Sequence, residues 1–190
     1  MKFIETSIPG LLIIKPSVFS DERGFFFESF QAQRFADAGI EDNFVQDNHS
    51  GSSRGTLRGL HYQIQHAQGK LVRVISGKVF DVAVDMRKSK PTFGQWEGIY
   101  LSSENKLQVW ISPGFAHGFY VMSDWAEVVY KTTAYYAPQH ERTLLWCDPK
   151  IGIDWPIIED QQPTLSKKDK QGKLFDDAET FSNRLMISGE

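Results

Sequence analysis

A chain of 190 residues is long enough for one domain that buries most of its apolar surface, and too short for a second full core. With 41% hydrophobic and 24% charged residues it has the composition of a globular protein, and no biased tract indicates disorder. The net charge of −3 argues against a general nucleic-acid binder, which needs a broad basic surface, but leaves room for a small anionic ligand.

The first predicted element is a short helix over residues 30–38, FQAQRFADA. Its larger apolar residues recur at helical spacing, and Gly39 follows where the helix would end. The stretch LRGLHYQ over 57–63 then predicts a strand, although it contains an arginine and a histidine. Because side chains alternate along a strand, Arg58 and His61 are predicted on opposite faces, each needing a partner or a site.

From residue 70 onward, apolar runs recur at short spacing between glycine-containing and polar turns. The turn Ser76-Gly77 predicts a hairpin between the first two runs. The regular spacing indicates a sandwich or barrel of antiparallel strands, with a jelly roll as the leading option. The predicted strands are KLVRVI (70–75), KVFDVAVDM (78–86), GQWEGIYL (94–101), KLQVWI (106–111), HGFYVM (117–122) and EVVYKTTAYY (127–136).

The C-terminal part contains a second helix start. Ser166 and Asp169 fit the capping-box pattern, with aspartate in place of glutamate. Neither an internal repeat nor a linker is visible. We therefore expect a single jelly-roll domain over residues 1–190, all-β apart from short N- and C-terminal helices, with an N-terminal strand extension and a C-terminal helical tail.

Two features bear on the compartment. The N-terminus MKFIETSIPG lacks the apolar core of a signal peptide, and the apolar run over 11–14 is too short to span a bilayer. The one cysteine, Cys147, excludes an internal disulfide and a four-cysteine zinc site. We expect a cytoplasmic protein without a membrane partner.

Histidines raise the question of a metal site. His61 and His117 each lie beside glycine, which would let a ligand approach the backbone, although a single histidine in a β protein is more often structural. The spacing argues against metal, because His61 and His66 are an odd number of positions apart and no HxH pair precedes a glutamate. His61 and His117 could still meet across strands.

Acid–base chemistry needs a base, an orienting carboxylate, an acid and a cation where negative charge develops. The chain offers candidates for all four: His61, Asp169, Tyr130 and Lys70. Each also has a structural interpretation, since Lys70 suits a solvated hairpin, Tyr130 a core aromatic and Asp169 a helix cap.

Anion binding is a third hypothesis. Arginine forks suit a diphosphate, and three arginines lie in glycine-rich or strand-like contexts: Arg23, Arg58 and Arg73. Three aromatics could stack on a flat base, although strand aromatics are more often core: Phe26, Tyr135 and Tyr136.

The motifs together resemble the dTDP-4-dehydrorhamnose 3,5-epimerase family, cupin-type jelly-roll enzymes of deoxysugar nucleotide synthesis. The resemblance runs in the family's order from about residue 3 to residue 177. It rests on SDERGFFFESF, FVQDNHS, TLRGLHYQ, AQGKLVRVISGKVFDVAVDMRKSKPTFGQW, LSSENKLQVWISPGFAHGF, VVYKTTAYYAP, GIDWP and LSKKD.

The resemblance implies a cofactor-free and metal-free isomerase that inverts carbons 3 and 5 of dTDP-4-dehydro-6-deoxy-D-glucose, giving dTDP-4-dehydro-L-rhamnose. In that comparison His61 removes a proton next to the ketone, Asp169 polarises His61, Tyr130 returns a proton on the opposite face, and Lys70 stabilises the enolate. Tyr136 would stack on thymine and His117 would line the sugar pocket. The other implied substrate contacts are Arg23, Glu28, Gln46, Asp47, Asn48, Arg58, Glu141 and Lys168.

The family also implies a homodimer with exchanged N-terminal strands, in which Arg23 and Glu28 act on the neighbour's site. The chain departs from the family at Gln65 or His66, where a proline is common, and we expect altered rigidity there with unaltered chemistry. Three alternatives stay open: a sister nucleotide-sugar epimerase or ketoisomerase, a metal-dependent cupin enzyme, and a non-catalytic sugar-binding module.

Overall fold

The computed structural model describes residues 1–157 and 161–182, and most elements in these ranges are β-strands. The described helices are α1 (Ala32–Asp37) and α2 (Lys167–Lys170), with 3-10 turns at Pro138–His140 and Phe175–Asp177. In chain order the strands are β1 (Lys2–Glu5), β2 (Leu11–Lys15), β3 (Phe19–Asp21), β4 (Gly24–Phe26), β5 (Gln46–Ser53), β6 (Leu57–Gln63), β7 (Lys70–Ser76), β8 (Lys78–Asp85), β9 (Trp96–Ser102), β10 (Gln108–Ile111), β11 (Phe115–Val121), β12 (Trp125–Thr132) and β13 (Glu141–Thr143).

Two antiparallel sheets face each other. One has the strand order β1-β2-β10-β7-β12-β5, and the other has the order β13-β6-β11-β8-β9. From β5 onward, consecutive strands switch between the two sheets, except for the β8–β9 hairpin. This alternation is the winding of a jelly roll, and the predicted all-β fold is confirmed.

The predicted hairpin between β7 and β8 is wrong, because these strands belong to opposite sheets. Only Gly77 separates them, which is too short for a two-residue hairpin loop. Gly77 has a φ of 76°, and a Cβ there would lie 2.1 Å from the Trp125 carbonyl oxygen. The chain therefore turns a tight corner from one sheet to the other at a position that only glycine fits.

The space between the sheets is filled by aliphatic side chains from both inner faces. Val72 and Val74 of β7, Val109 of β10 and Val128 of β12 belong to this buried cluster, together with Val79 of β8. Strand β8 is buried on both faces, because its other face carries a second cluster. The C-terminal segment packs there, through its buried apolar residues Leu144, Ile151, Trp155, Phe175 and Phe181.

Within the described part of the C-terminal segment, only α2 and one 3-10 turn are helical, so the tail is mostly extended. It is tied to the five-stranded sheet by backbone hydrogen bonds from Leu57 N–H to the Thr164 carbonyl and from Lys173 N–H to the Thr143 carbonyl. The Tyr62 hydroxyl also donates to the Glu179 carbonyl at 2.6 Å. The described part of the segment therefore forms an outer layer on the five-stranded sheet, and residues 158–160 and 183–190 lie outside the described ranges.

Both predicted helix signals are confirmed. Helix α1 lies inside the predicted range, and Gly39, with a φ of 83°, donates its N–H to the Ala36 carbonyl just beyond the helix end. At α2, the Ser166 hydroxyl accepts the Asp169 N–H as an N-cap. No helix in the described ranges is both long and apolar enough to cross a membrane.

Strands β3 and β4 form a separate two-stranded hairpin, paired only with each other among the described strands. Three phenylalanines on it are exposed: Phe19 by 67%, Phe25 by 59% and Phe26 by 72%. Hydrophobic rings are rarely left in water in such a cluster, so this hairpin is a candidate contact surface.

Candidate functional site

A cavity of about 630 Å³ opens between the two sheets at one end of the sandwich. Side chains from both sheets and from the C-terminal segment line it. Eleven of the fourteen site residues predicted from the sequence lie on its wall: Gln46, Asn48, Arg58, His61, Lys70, His117, Tyr130, Tyr136, Glu141, Lys168 and Asp169.

Strand alternation explains how the six-stranded sheet supplies this wall. On β7, Lys70 has the same parity as the core residues Val72 and Val74, so it points between the sheets. On β12, Tyr130 has the same parity as the core residue Val128. The inner faces thus change from apolar to polar as the strands reach the cavity.

Strand β6 breaks the alternation, and the prediction that Arg58 and His61 face opposite sides is wrong. His61 pairs with His117 on β11, whereas Arg58 pairs with Phe119, so the register shifts by one residue between them. This bulge brings Arg58 and His61 to the same cavity.

The glycines beside the histidines make room for each other's backbone, and Gly118 also lines the cavity. A Cβ on Gly59 would lie 2.5 Å from the Cα of Gly118, and a Cβ on Gly118 would lie 2.5 Å from the Arg58 carbonyl oxygen. Backbone atoms cannot yield as a flexible side chain can. Both positions therefore need glycine for the bulge to form.

His61 and Asp169 form a close pair at the cavity wall. The His61 Nε2 lies 2.5 Å from Asp169 Oδ1, and the Ser166 hydroxyl donates to Asp169 Oδ2 at 2.7 Å. Burial lowers the pKa of His61, and the hydrogen bond to Asp169 opposes this only in part. Burial alone would raise the pKa of Asp169, but hydrogen bonds from His61 and Ser166 outweigh it and lower that pKa.

The protonation of this pair follows from those directions. An ionised Asp169 only accepts, so the His61 Nε2 must carry the hydrogen between them. A neutral imidazole then has its lone pair on Nδ1. His61 is therefore a neutral, oriented base at neutral pH.

Lys70 is a buried ammonium beside this base. Its Nζ donates to the His61 carbonyl oxygen at 3.3 Å. Burial lowers the pKa of Lys70 to about 8, while the nearby carboxylates of Asp81 and Glu141 act to raise it. Most Lys70 side chains are therefore charged at neutral pH, although the charge is easily lost.

Asp81 is a site residue that the sequence analysis missed. It is 2% exposed on β8, and the His117 Nε2 lies 2.9 and 3.0 Å from its two carboxylate oxygens. Asp81 therefore orients His117 as Asp169 orients His61. A signal was present, because Asp81 shares the parity of Val79 and Ala83 on an otherwise apolar face.

Tyr130 approaches the cavity from the six-stranded sheet, whereas His61 approaches from the five-stranded sheet. The two side chains therefore line one cavity from opposite walls. Burial raises the pKa of Tyr130 above its usual range, and the Arg58 charge opposes this shift. Tyr130 is thus a protonated phenol next to a guanidinium.

The mouth of the cavity contains a bridged trio. The Tyr136 hydroxyl donates to one Glu141 oxygen at 2.9 Å, and the Lys168 ammonium donates to the other at 2.7 Å. Burial raises the pKa of Glu141, but the hydrogen bonds from Lys168 and Tyr136 outweigh it and keep that carboxylate ionised. In the residues that the structure describes, no three His, Cys, Asp or Glu side chains cluster as metal ligands.

Comparison with known proteins identifies the family. The sequence model of dTDP-4-dehydrorhamnose 3,5-epimerase matches residues 5–177, most of the chain. The chain belongs to this family. The predicted resemblance is therefore confirmed, and with it the prediction that the chain is an enzyme of the epimerase class.

Relatives of this epimerase cover nearly the whole chain. A dTDP-4-dehydrorhamnose 3,5-epimerase of Pseudomonas aeruginosa is 58% identical over 182 residues, which are 95% of this chain and 99% of the relative. The Legionella pneumophila dTDP-6-deoxy-D-glucose-3,5-epimerase, solved with dTDP-4-keto-L-rhamnose, is 55% identical with a TM-score of 0.90, covering 94% of each chain. A 3′-monoepimerase of Streptomyces bikiniensis with dTDP-quinovose is 34% identical with a TM-score of 0.84, covering 90% of this chain and 86% of that one.

Three predicted epimerase site residues do not line the cavity of their own chain. Asp47 points to the other side of β5, where it accepts from Lys131 at 3.0 Å. Arg23 lies on the β3–β4 hairpin and pairs with Asp21 at 2.5 Å. Glu28 lies 3.4 Å from Arg34 and has one buried carboxylate oxygen without a hydrogen bond.

The departure from the epimerase family falls in the loop between β6 and β7. His66 has a φ of 51°, a value that the proline ring cannot take. A chain with proline at position 66 therefore cannot adopt the loop conformation seen here. The altered rigidity expected at this point stays a prediction.

Proposed function

We propose that this epimerase inverts carbons 3 and 5 of dTDP-4-dehydro-6-deoxy-D-glucose, giving dTDP-4-dehydro-L-rhamnose. The observation that supports it best is the opposed placement of His61 and Tyr130 on the two walls of one cavity, with the Lys70 ammonium beside His61. Inversion next to a ketone needs a base on one face of the carbon and an acid on the other, and this arrangement supplies both.

His61 is the base in this proposal. Its Nδ1 lone pair takes the proton from the carbon next to the ketone, and the C–H electron pair moves into the enolate. The imidazolium that results is stabilised by Asp169, which remains ionised at 2.5 Å. The pair thus acts like the histidine and carboxylate of other acid–base sites.

Lys70 stabilises the enolate oxygen as its charge develops. A preorganised donor of this kind contributes about 3–4 kcal/mol to lowering a barrier. Lys70 is 8% exposed, so water screens its charge little.

Tyr130 then returns a proton to the opposite face of the same carbon. The phenol O–H bond breaks, the enolate reforms the ketone, and the phenolate is stabilised by Arg58, whose charge acts on the Tyr130 pKa. Exchange with water then removes the proton that His61 took up and returns a proton to the Tyr130 phenolate. No electrons are gained or lost, and a second round at the other carbon beside the ketone completes the reaction.

The nucleotide is held at the cavity mouth in this proposal. Arg58 pairs with the diphosphate, Tyr136 stacks on the base, and His117, fixed by Asp81, contacts the sugar. Four further residues on the wall complete the contacts: Gln46, Asn48, Glu141 and Lys168.

A homodimer with exchanged N-terminal strands is part of the proposal. Arg23 and Glu28 lie outside the cavity of their own chain, and the β3–β4 hairpin that carries Arg23 exposes three phenylalanines. Docking of that hairpin on a second copy would bury the rings and bring both residues near the neighbour's site. Asp47 lines a second pocket together with Ser29 and Phe30, which directly follow Glu28 in the chain. A cytoplasmic location, in keeping with the single cysteine, is proposed as well.

A second candidate is epimerisation at one carbon, because the Streptomyces bikiniensis monoepimerase has the same fold at 34% identity. Incubating the 4-keto-6-deoxyglucose nucleotide in heavy water separates the two. Deuterium at carbons 3 and 5 supports the double epimerase, deuterium at one carbon supports the monoepimerase, and no deuterium contradicts both.

The assigned roles predict the outcome of two substitutions. We expect His61→Ala and Tyr130→Phe to lower turnover by about 100-fold or more, because each removes a group that moves a proton. Binding of dTDP, measured by calorimetry, should change by no more than about three-fold, since the nucleotide contacts remain.

His49→Ala and Tyr100→Phe are matched controls, because both residues lie outside the cavity on the surface. They should keep normal turnover. Undiminished turnover in both His61→Ala and Tyr130→Phe would contradict the mechanism.

A further inference from the structure

The short segment over residues 133–137, TAYYA, carries Tyr136 to the cavity mouth. It follows the end of β12 at Thr132 and precedes the 3-10 turn. The sequence predicted a strand as far as residue 136, but the segment has left the sheet. Its backbone polar groups therefore need partners other than strand neighbours.

Gln63 supplies two of those partners, one on each side of Tyr136. Its side-chain Nε2 donates to the Tyr135 carbonyl at 3.2 Å, and its Oε1 accepts the Ala137 N–H at 2.9 Å. The same Nε2 donates to the His66 carbonyl at 2.8 Å. Gln63 is 3% exposed and uses both its amide hydrogens and its oxygen in these bonds.

Two more glutamines complete the set. Gln46 accepts the Tyr136 N–H at 2.9 Å, and Gln68 donates to the Ala134 carbonyl at 2.9 Å. Gln46 lies on the six-stranded sheet, and Gln63 lies on the five-stranded sheet. The segment is thus clamped to both walls by side chains that also line the cavity.

The geometry points to Gln63 as a positioning residue for the nucleotide: it fixes the backbone on both sides of Tyr136 and so holds that ring ready to receive a base. This inference rests on the proposed function, in which Tyr136 stacks on the nucleobase. It gives a role to the last residue of LRGLHYQ, which the acid–base chemistry does not use.

A held backbone matters because the Tyr136 ring itself has little support. The side chain is 53% exposed, and its hydroxyl bond to Glu141 fixes only the far end. If the segment were loose, binding would have to order it, and the loss of freedom would weaken affinity. In the folded protein the three glutamines already order the segment, so nucleotide binding does not have to order it.

Gln63→Leu removes all three hydrogen bonds. Gln63→Glu keeps an acceptor for the Ala137 N–H but replaces the donor to the Tyr135 carbonyl with an oxygen, which repels that carbonyl. We expect both to weaken dTDP binding by about ten-fold, because base stacking has a worth of that order. Binding of inorganic pyrophosphate, which has no base to stack, should stay within about two-fold. KM should rise while kcat changes by less than about three-fold.

A double-substitution cycle separates positioning from general damage. If Gln63 acts through Tyr136, then Gln63→Leu combined with Tyr136→Leu should bind dTDP no more weakly than Tyr136→Leu alone. Val121→Ala, a cavity-forming change in the core between the sheets, is the control for lost stability. It should lower the melting temperature and leave dTDP affinity unchanged.

Equal losses for dTDP and pyrophosphate, additive losses in the cycle, or unchanged dTDP affinity in Gln63→Leu would each overturn the inference. Failure of the proposed function looks different. In that case the unsubstituted protein would itself bind no dTDP and turn over no 4-keto sugar nucleotide.

Discussion

The negative charge of Asp81 helps Lys70 to keep its positive charge, although the two residues lie on different sheets. Burial lowers the pKa of Lys70 to about 8, and the Asp81 carboxylate is the largest influence that raises it. Burial also lowers the pKa of His61. His61 acts as a base in its neutral form, so this shift favours the active form of His61, whereas the shift at Lys70 works against its active, charged form. The two residues are thus in their active forms over a limited range of pH.

The pH profile of kcat/KM is therefore expected to be bell-shaped. His61 is active when deprotonated, so the rate rises through its pKa, below the ordinary value of 6.5. Lys70 is active when protonated, so the rate falls as the pH rises through about 8. Asp81→Asn should move the falling limb to lower pH, because it removes a negative charge that favours the ammonium.

The matched control is Asp124→Asn, since the Asp124 side chain is 96% exposed on the surface. It should leave both limbs in place. A falling limb that stays at the same pH in Asp81→Asn would rule out this account of the Lys70 charge.

At this scale the sequence was a good guide only where whole motifs were available. Asp169 lies 108 positions from His61, and no spacing argument links them. The residues alone therefore made Asp169 only a candidate carboxylate, and the family motif assigned it to His61. Asp81 had no such motif and was missed. The signal for Asp81 was a carboxylate on the same strand face as the core residues Val79 and Ala83. A buried carboxylate needs a partner, but its position in the sequence does not identify that partner.

Among the elements, β6 departs most from what its sequence suggests. Strict alternation separated Arg58 from His61, but the register shift against β11 unites them. A bulge depends on the partner strand as well as on the bulged one, so LRGLHYQ alone could not reveal it. The corner at Gly77 is similar, because the turn was visible in the sequence whereas the sheet that follows was not.

Gly118→Ala is predicted to damage both stability and activity. The new Cβ would lie 2.5 Å from the Arg58 carbonyl and 3.0 Å from the Gly59 Cα, so β6 must shift away from β11. We expect a loss of about 1–3 kcal/mol in the free energy of unfolding, measured with urea. Since Arg58 and His61 move together, kcat/KM should fall by about ten-fold or more.

Gly39→Ala serves as the comparison, because a Cβ there meets nothing within 4 Å although φ is 83°. It should cost about 1 kcal/mol from the left-handed backbone and leave kcat/KM unchanged. Full activity in a stably folded Gly118→Ala protein would show that the bulge does not depend on this glycine pair.

At the scale of the whole molecule, the proposed dimer makes activity depend on the β3–β4 hairpin. Phe26→Asp places a charge on a ring position that is 72% exposed in the single chain. If a second copy covers that position, the change should weaken the dimer by at least about ten-fold in sedimentation equilibrium. Turnover should fall with it, because Arg23 and Glu28 would no longer reach the neighbouring site.

Leu174→Asp tests whether any added surface charge has this effect, since Leu174 is 45% exposed on the C-terminal segment. It should leave both assembly and turnover unchanged. A Phe26→Asp protein that remains dimeric and fully active would contradict the exchange of N-terminal strands.

Asp169 lies in the outer C-terminal layer, and this position affects how the enzyme loses activity on heating. The layer is attached by a few backbone bonds and by apolar packing on the five-stranded sheet, whereas the two sheets pack against each other through a shared apolar core. Peripheral segments open more readily than a central core. Each such excursion leaves His61 without its orienting carboxylate while the sandwich stays intact, so gentle heating should silence catalysis at temperatures at which the protein still has its native sheet signal.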